Sequence, residues 1–406
     1  MMDKSIVETL VAEYGTPLYV FDDSGFIKNY QNLCDAFRKF YPKYNPGYSY
    51  KTNYTPHICK LVKRLGGYAE VVSDMELSVA RKIGYDDSNI IYNGPCKGNL
   101  LEQFILNGGV CNIDNEFEAE RITQLAKDNP SIYIKVGIRI NTDIGAGFIS
   151  RFGVDPDSSA MDNILRMIKS QPNLSLVGVH MHVSRARYLS AWQRRIENAL
   201  EVADKIIDGT PEYIDLGSGM FADMEDYLKQ QFTIEVPTYE EYAGVVAGTM
   251  AKHYMNCDNP PMLITEPGTT VVSRYLSLLT TVKAFKSIQG RNIAIVDSDV
   301  HQVGETAQMM KVPYTIYNFG KGKVLEAPTD ITGFTCLEQD VLYKEFSEPL
   351  SVGDIIELRN IGGYSVVYKP PFIQPNCTMV SISENKSISV IKRKETFEDI
   401  FTTFIF

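Results

Sequence analysis

The chain has 406 residues, of which 44% are hydrophobic and 22% are charged. These values are typical of a folded globular protein with two or three domains, or with one large barrel and a smaller partner domain. The net charge is −10 and no basic stripe appears, so binding of nucleic acid is not expected. No apolar run approaches the ~18–20 residues that a membrane-spanning helix needs, so no membrane association is expected either.

The N-terminus and the cysteines indicate a cytoplasmic protein. Residues Met1 to Ser5 are not followed by the apolar region of a signal peptide. The seven cysteines are scattered without any Cys-x-x-Cys pair, which favours a reducing compartment and argues against a structural zinc site.

The first predicted elements are a helix and a strand. Ser5 and Glu8 have the spacing of a capping box, which predicts that a helix begins there. Residues 16–22 are predicted to form a strand that joins a β domain built later in the chain.

Between about residues 47 and 266, short β-rich runs alternate with amphipathic runs of helical length. Ser73 and Glu76 are predicted to cap one of these helices, and Gly84 to end it. The predicted strands are 47–52, 68–73, 90–93, 110–113, 132–141, 176–183, 213–216 and 262–266. Eight strands separated by helices predict a closed (β/α)₈ barrel of the TIM type.

Beyond about residue 270 the pattern becomes β-rich, as in 271–282, 292–296, 354–358 and 379–382, with a short helix expected near Glu395. We therefore predict an α/β protein with two domains. Residues 25–270 form the barrel, and residues 1–24 and 271–406 form a β-sandwich or Greek-key-like domain.

Polar residues follow strand after strand of the predicted barrel, at the face where such barrels place their active sites. Lys51 ends the first strand, where its amine can hold an aldehyde cofactor; the alternative is a lysine that reaches solvent. The other residues at these ends are Glu70, Ser73, Asn93, Asp114, Arg139, Asn141, His182, the turn 217–219 and Glu266.

Three of these features suggest particular chemistry. His180 and His182 are predicted on one face of a strand. The sequence indicates no third metal ligand, so we expect no metal there. A flat imidazole can instead stack on an aromatic cofactor. The glycines of the turn 217–219 allow backbone N–H groups to approach a phosphate. Glu266 can hold a protonated ring nitrogen. Taken singly, each feature also fits a purely structural role.

In its motifs the chain resembles the fold-type III pyridoxal-phosphate-dependent amino-acid decarboxylases, the group that includes diaminopimelate and ornithine decarboxylases. The resemblance runs nearly from end to end in matching order. The motifs are Tyr-Gly-Thr-Pro-Leu-Tyr-Val (14–20), the lysine segment (48–53), Glu-Val-Val-Ser (70–73), Asn-Gly-Pro-Cys-Lys (93–97), Arg-Ile-Asn (139–141), Ser-Arg-Phe-Gly (150–153), His-x-His (180–182), Gly-Ser-Gly (217–219), Glu-Pro-Gly (266–268), the cysteine segment (333–340) and Gly-Gly-Tyr (362–364).

The resemblance implies pyridoxal 5′-phosphate (PLP) as cofactor, no metal, and a head-to-tail homodimer with shared active sites. The catalytic residues it implies are Lys51 (covalent attachment of the cofactor), His182 (stacking on the ring), Glu266 (ring nitrogen) and Cys336 (proton donor to Cα, from the partner subunit). The expected cofactor-binding residues are Lys51, Arg139, His182, Ser184, Arg185, Gly217, Ser218, Gly219, Glu266, Gly268 and Tyr364, of which Ser184 and Arg185 depart from the family pattern. The candidate substrate-binding residues are Leu337, Glu338 and Asp340.

Three departures from the family pattern bear on the phosphate site and on the substrate. Thr269 stands where the family has a phosphate-binding arginine, and Ser184 and Arg185 replace a Gly-Ser pair. We therefore expect Arg185 to supply the cation that the phosphate site lacks. The alternative is that Arg185 is a solvated surface arginine. Leu337 replaces the acid that pairs with the distal amine of the substrate. Burying an ammonium without a partner would cost several kcal/mol, so free lysine, ornithine and diaminopimelate become poor substrates.

The leading hypothesis is therefore a PLP-dependent decarboxylase of an amino acid or derivative whose distal end is acylated, uncharged or bound to a carrier protein, in a specialised biosynthetic pathway. One alternative is diaminopimelate decarboxylation, with Glu338 shifted into the place of the missing acid. A second is a racemase or epimerase on the same fold, which Glu266 disfavours because alanine racemases hold the ring nitrogen with arginine. A third is a non-catalytic PLP-binding protein, which the β domain disfavours.

Overall fold

The computed structural model describes residues 2–322, 324–325 and 328–406, without the side chains of residues 307 and 308. The chain divides into two compact units. One unit comprises Asn29–Phe221 and Glu235–Thr270, and the other comprises Met1–Lys28, Ala222–Ile234 and Val271–Phe406. In the described part of the chain, no helix is both long and apolar enough to cross a membrane.

The chain begins with helix α1 (Lys4–Tyr14), strand β1 (Leu18–Asp22) and helix α2 (Asp23–Phe40). The predicted capping box at Ser5 is wrong. Asp3, two residues before Ser5, is the N-cap, and its carboxylate accepts the Ser5 amide; aspartate caps a helix as well as serine does.

The predicted TIM-type barrel is confirmed. Eight parallel strands close on themselves when the first pairs with the last, at Tyr44 opposite Leu263. The strands are β2 (Tyr44–Ser49), β3 (Tyr68–Val71), β4 (Ile90–Tyr92), β5 (Val110–Ile113), β6 (Ile134–Arg139), β7 (Leu174–His180), β8 (Tyr213–Asp215) and β9 (Met262–Thr265).

Several strands end earlier than their β-rich sequences predict, and this shifts two site residues. Lys51 lies in a 3₁₀ turn, Tyr50–Thr52, directly after β2. His182 lies two residues beyond the end of β7, so the prediction that His180 and His182 share one strand face is wrong. Beyond these points, among the described residues, only the Met181 amide, which donates to the carbonyl oxygen of Asp215 at 2.8 Å, prolongs the bonding of β7 to its neighbour β8.

The helices between and after these strands present an apolar face to the barrel. Helix α4 has the predicted ends: Ser73 accepts the Glu76 amide, and Gly84 adopts a left-handed conformation at the C-cap. These helices are α3 (Pro56–Arg64), α4 (Asp74–Ile83), α5 (Leu101–Leu106), α6 (Glu116–Asp128), α7 (Ser159–Lys169), α8 (Leu189–Ile206) and α10 (Tyr239–His253). The short helix α9 (Asp226–Lys229) follows β8 in the chain but belongs to the other unit.

Two glycines leave room for an aromatic side chain inside the barrel. A Cβ atom at Gly178 would lie 2.4 Å from Cζ of Tyr213, and one at Gly137 would lie 1.9 Å from its hydroxyl oxygen. The Tyr213 hydroxyl donates to Asn112 Oδ1 at 2.6 Å, which satisfies its polar end within the core.

The second unit contains a mixed sheet of nine strands among the described residues. As predicted, the strand from 16–22 joins it: β1 pairs antiparallel with β10 and parallel with β18. Its elements are α11 (Thr269–Val272), β10 (Leu276–Ile288), β11 (Arg291–Val296), α12 (Val300–Val303), α13 (Glu305–Met309), β12 (Tyr314–Tyr317), β13 (Val324–Leu325), β14 (Thr329–Thr332), β15 (Val341–Phe346), β16 (Leu350–Ser351), β17 (Ile355–Leu358), β18 (Thr378–Ile382), β19 (Ile388–Lys392) and α14 (Phe397–Phe401).

The strand predicted from residue 271 begins only at Leu276. Val271 and Val272 end the short helix α11 and are fully buried, so tertiary packing overrides their β propensity. Helix α1 covers one face of the sheet, where Val7 and Leu10 pack against Leu18, Leu279 and other buried residues.

Candidate active site

An ion pair holds Lys51 at the carboxyl end of the barrel. Its Nζ lies 2.5 Å from Oε2 of Glu70, a buried carboxylate on β3. The other Glu70 oxygen accepts Asn93 Nδ2 at 3.1 Å, and the Ser49 hydroxyl also donates to Oε2. Since the Lys51 side chain remains 31% exposed, its amine is both oriented and accessible.

Glu266 follows β9 and is 2% exposed. Its Oε1 accepts Asn93 Nδ2 and lies 3.4 Å from His180 Nε2. Burial opposes ionisation, but the neighbouring His180 and the charge of Lys51 outweigh it and hold the pKa of Glu266 below its ordinary value. Glu266 is therefore a buried carboxylate that stays negatively charged.

Asp215, at the end of β8, lies beside Glu266. Burial, and then the charge of Glu266, raise the pKa of Asp215 well above its ordinary value. Its carboxyl accepts the Gly217 amide at 2.9 Å through Oδ1, while Oδ2 has no hydrogen-bond partner. The pKa values of the two carboxyls are thus driven apart, upward at Asp215 and downward at Glu266.

This cluster corrects one expectation from the sequence. Possible ligand atoms of His180, Asp215 and Glu266 all lie within 4.8 Å of one another, so a third group capable of binding a metal does stand near His180. Asp215 comes from a different strand, and only closure of the barrel brings it there. The raised pKa of Asp215 disfavours a second carboxylate charge in the cluster.

We expect Asp215→Asn to become more stable relative to the wild type as pH rises. The raised pKa of Asp215 means that the folded wild type retains a proton which the unfolded chain loses above pH about 4. The wild type therefore loses stability as pH rises toward the folded pKa, while the asparagine, a mimic of the protonated acid, does not titrate. The relative gain should reach up to about 1.4 kcal/mol per pH unit.

Urea unfolding of the apoproteins between pH 4 and 8 measures this difference. Asp86→Asn, at an exposed position, is the control for general effects of pH. A difference in unfolding free energy that does not change with pH would show that Asp215 is ionised in the folded protein.

His182 is held as a neutral imidazole. Its Nδ1 accepts the Ser218 amide at 3.0 Å, and its carbonyl oxygen accepts Arg139 Nη2 at 3.1 Å. Burial, then the charges of Arg139 and Lys51, lower the pKa of His182 well below its ordinary value. Arg139 is itself packed on the ring of Phe152, at 4.6 Å.

The turn Gly217–Ser218–Gly219 needs both of its glycines. Their φ angles are 58° and 108°. A Cβ atom at Gly217 would lie 2.4 Å from His182 Nδ1, so the turn and the imidazole pack without space for a side chain. Gly268 is similarly constrained, since a Cβ there would lie 2.1 Å from the Thr52 hydroxyl.

The loop after His182 carries the replacements seen in the sequence. Ser184 and Arg185 are exposed, and Arg185 has a φ of 70°. Within the described residues, the Arg185 guanidinium takes part in no hydrogen bond or ion pair. Its assignment to a bound phosphate therefore stays a prediction.

The remaining predicted residues belong to the β unit. Cys336, Leu337 and Glu338 lie on the loop between β14 and β15, where the cysteine and glutamate are exposed and the leucine is partly buried. Asp340 is buried and holds this loop, since it accepts the amides of Val300 and Thr335 and the Thr335 hydroxyl.

Tyr364 follows two glycines in the same unit. It is partly buried, has a φ of 56° and stacks on Tyr368 with ring centroids 5.4 Å apart. Gly362 admits no side chain there, since a Cβ would lie 2.2 Å from the carbonyl oxygen of Val272.

Sequence reasoning missed Arg195. Its guanidinium, fully buried on α8, donates to the carbonyl oxygens of Val183, Leu216 and Ser218. A signal was present: Arg195 falls in the same stripe of α8 as Trp192, Ile196 and Ala199, which predicts a buried face.

The barrel residues fit the chemistry of the expected cofactor. PLP combines an aldehyde, a ring nitrogen and a phosphate. Lys51 offers an accessible amine, Glu266 a buried charged carboxylate, and the glycine turn a backbone cradle that any Cβ would fill. Each part of the cofactor thus has a suitable group, and all these groups lie at the carboxyl end of the barrel.

Comparison with known proteins agrees with this fit. Residues 28–273 match the family described as pyridoxal-dependent decarboxylase, pyridoxal binding domain. The diaminopimelate decarboxylase of Methanocaldococcus jannaschii is 26% identical, over 96% of this chain and 91% of that protein. A crystal structure of diaminopimelate decarboxylase from M. jannaschii superposes with a TM-score of 0.83 at 25% identity, over 98% of this chain and 94% of that one.

A third relative acts on a different substrate. The L-glutamyl-(BtrI acyl-carrier protein) decarboxylase of Niallia circulans is 24% identical, over 99% of this chain and 96% of that protein. The match to the pyridoxal binding domain covers more than half of the chain, and the two named activities share one reaction type. The chain therefore belongs to the pyridoxal-dependent decarboxylases, and it is a PLP-dependent amino-acid carboxy-lyase.

Proposed function

We propose that the substrate is an amino acid or amino-acid derivative whose distal end is not a free amine but is acylated, uncharged or bound to a carrier protein. The observation that carries this proposal is Leu337, which follows Cys336 in the loop between β14 and β15. A leucine gives no charge partner to an ammonium, whereas it packs well against an apolar or amide-linked chain.

The neighbouring acids support the same conclusion. The Asp340 carboxylate already accepts three hydrogen bonds within its own unit. Binding a substrate amine would therefore disrupt the hydrogen bonds that stabilise its loop. Glu338 is exposed, and its carboxylate makes no hydrogen bond or ion pair with the described residues. It leaves diaminopimelate decarboxylation as the second candidate, which the identity to diaminopimelate decarboxylases also favours.

The barrel residues have separable roles in the proposed site. When bound, PLP supplies an electron sink for the pair released as CO₂ leaves. Glu266 holds a negative charge toward the ring nitrogen, and Glu70 orients the Lys51 amine. His182 presents a neutral ring because its Nδ1 is occupied by the Ser218 amide, and Cys336 delivers a proton to Cα.

We further propose a head-to-tail homodimer in which Cys336 completes the site of the partner subunit, as the family resemblance implies. The relative that acts on a glutamyl group on an acyl-carrier protein supports delivery by a carrier and a role in natural-product biosynthesis. All seven cysteines are unpaired, the state expected in a reducing compartment, so we place the enzyme in the cytosol.

The proposal is tested by CO₂ release from a panel of free, acylated and carrier-bound amino acids, with chiral analysis of the products. We expect turnover of one or more modified substrates and weak turnover of lysine, ornithine and diaminopimelate. Inversion at Cα without CO₂ release would identify a racemase. Cofactor binding without any turnover across the panel would favour the non-catalytic alternative.

Leu337→Asp should change the substrate preference. A carboxylate at this position can pair with a distal ammonium, so kcat/KM for lysine or ornithine should rise about 10-fold or more, equivalent to about 1.4 kcal/mol. Activity on the modified substrate should fall, while cofactor affinity should stay within about 3-fold of wild type.

Leu337→Asn is the matched control, because it has the size of the aspartate without its charge. An equal rise in the asparagine variant would attribute the change to space rather than to charge pairing. High kcat/KM of the unaltered protein on diaminopimelate, lost in Glu338→Gln, would instead establish the shifted acid and contradict the argument from Leu337.

A further inference from the structure

Arg195 lies beneath the glycine turn as a buried cation. Its side chain is 0% exposed and stacks on the Trp192 ring at 4.2 Å. Nη1 donates to the carbonyl oxygens of Leu216 at 3.0 Å and Ser218 at 2.8 Å, and Nη2 donates to Val183 at 2.8 Å. One guanidinium thus connects the loop after β7 to the turn after β8.

This cation has no ion-pair partner among the described residues, and the Glu266 carboxylate acts on it only from farther away. Its three hydrogen bonds go to main-chain carbonyls, Nε has no partner, and the described residues place no carboxylate at ion-pair distance. Burial lowers the pKa of Arg195 to about 9, so it remains charged at neutral pH. A buried charge without a counter-ion is costly, which implies that an anion completes this part of the molecule.

The turn above Arg195 offers the place for that anion. Both of its glycines have positive φ, and the amides of Gly219 and Met220 donate no hydrogen bond within the described residues. A cation that binds the carbonyl oxygens of a turn polarises the peptide groups and strengthens their N–H groups as donors.

We infer that Arg195 supplies the positive charge for the cofactor phosphate, acting from behind the turn rather than by direct contact. This inference rests on the proposed placement of the phosphate at Gly217–Gly219. It explains how the site can tolerate Thr269 where the family has arginine: the charge comes from α8 instead of from the segment after β9. Arg195 is thus a positioning residue.

The test is the affinity of the apoprotein for PLP and for pyridoxal, which lacks the phosphate, measured by equilibrium titration. Arg195→Gln removes the charge but keeps a donor for the carbonyls. We expect its affinity for PLP to fall about 10- to 100-fold and its affinity for pyridoxal to change less than about 3-fold. Arg195→Lys, which keeps the charge, should retain PLP affinity within about 3-fold of wild type.

Three results would overturn the assignment. Equal losses for PLP and pyridoxal would give Arg195 a merely structural role, and no loss for either would give it none. A loss confined to PLP in Arg185→Gln, but absent in Arg195→Gln, would assign the charge to Arg185. Arg194→Gln, on the exposed face of the same helix, controls for the loss of any nearby arginine.

If Arg195→Gln does not fold, Arg195→Lys is measured instead. A preference of this variant for PLP over pyridoxal equal to that of the wild type supports the inference, and a parallel loss of its affinities for both compounds overturns it. A wild type that binds PLP and pyridoxal equally would contradict the phosphate site itself, a failure distinct from one confined to the Arg195 variants.

Discussion

Borohydride reduction of the holoenzyme should attach the cofactor to Lys51, and Lys51→Ala should lower kcat by at least about 10³-fold. The amine lies in the turn after β2, oriented by the buried carboxylate of Glu70 at 2.5 Å. An alanine removes the nucleophile, and it also leaves Glu70 without its cation. Peptide mapping by mass spectrometry and steady-state kinetics measure the two effects.

Two other lysines make this test specific. Lys97 is fully buried and pairs with Glu118 at 2.7 Å, so it should not be labelled. Lys60 lies exposed on α3, and Lys60→Ala should retain both labelling at Lys51 and activity. Attachment of the cofactor to any lysine other than Lys51 would show that the assignment is wrong.

Cys336→Ala should bind the cofactor normally yet lose turnover by about 10²- to 10⁴-fold, the range typical of a general acid. The thiol is exposed on the loop between β14 and β15, so its removal creates no cavity and should leave stability unchanged. The visible spectrum of the bound cofactor and kcat provide the two measurements. Cys96→Ala, at another exposed cysteine, is the matched control.

Mixing Cys336→Ala with Lys51→Ala tests whether the site is shared between subunits. Random exchange makes half of the dimers mixed, and each mixed dimer regenerates one intact site, so about a quarter of wild-type activity should return. A mixture that stays inactive although subunit exchange is demonstrated would place Lys51 and Cys336 in the same subunit's site.

The sequence by itself determined the barrel and the order of its reactive residues. Eight β-rich runs separated by amphipathic runs predict βαβ units, and the number eight favours their closure into a parallel barrel. Because the carboxyl ends of parallel strands share one face, the positions of Lys51, Glu266 and the turn 217–219 after their strands already placed them on the same side of the molecule. Strand periodicity also assigned residues 16–22 to the β sheet, as the pairing of β1 with β10 and β18 confirms.

Only the tertiary structure decided which of these groups are charged and what each one contacts. The pKa of Asp215 is raised because closure of the barrel buries it beside Glu266, a neighbour 51 residues away that no local pattern connects to it. Arg195 resembles any arginine of an amphipathic helix until the packing of α8 places it under the glycine turn. The periodicity of apolar residues predicts which face of a helix or strand is buried. Which residues that face contacts depends on how the barrel closes and on the distances between the elements that closure brings together.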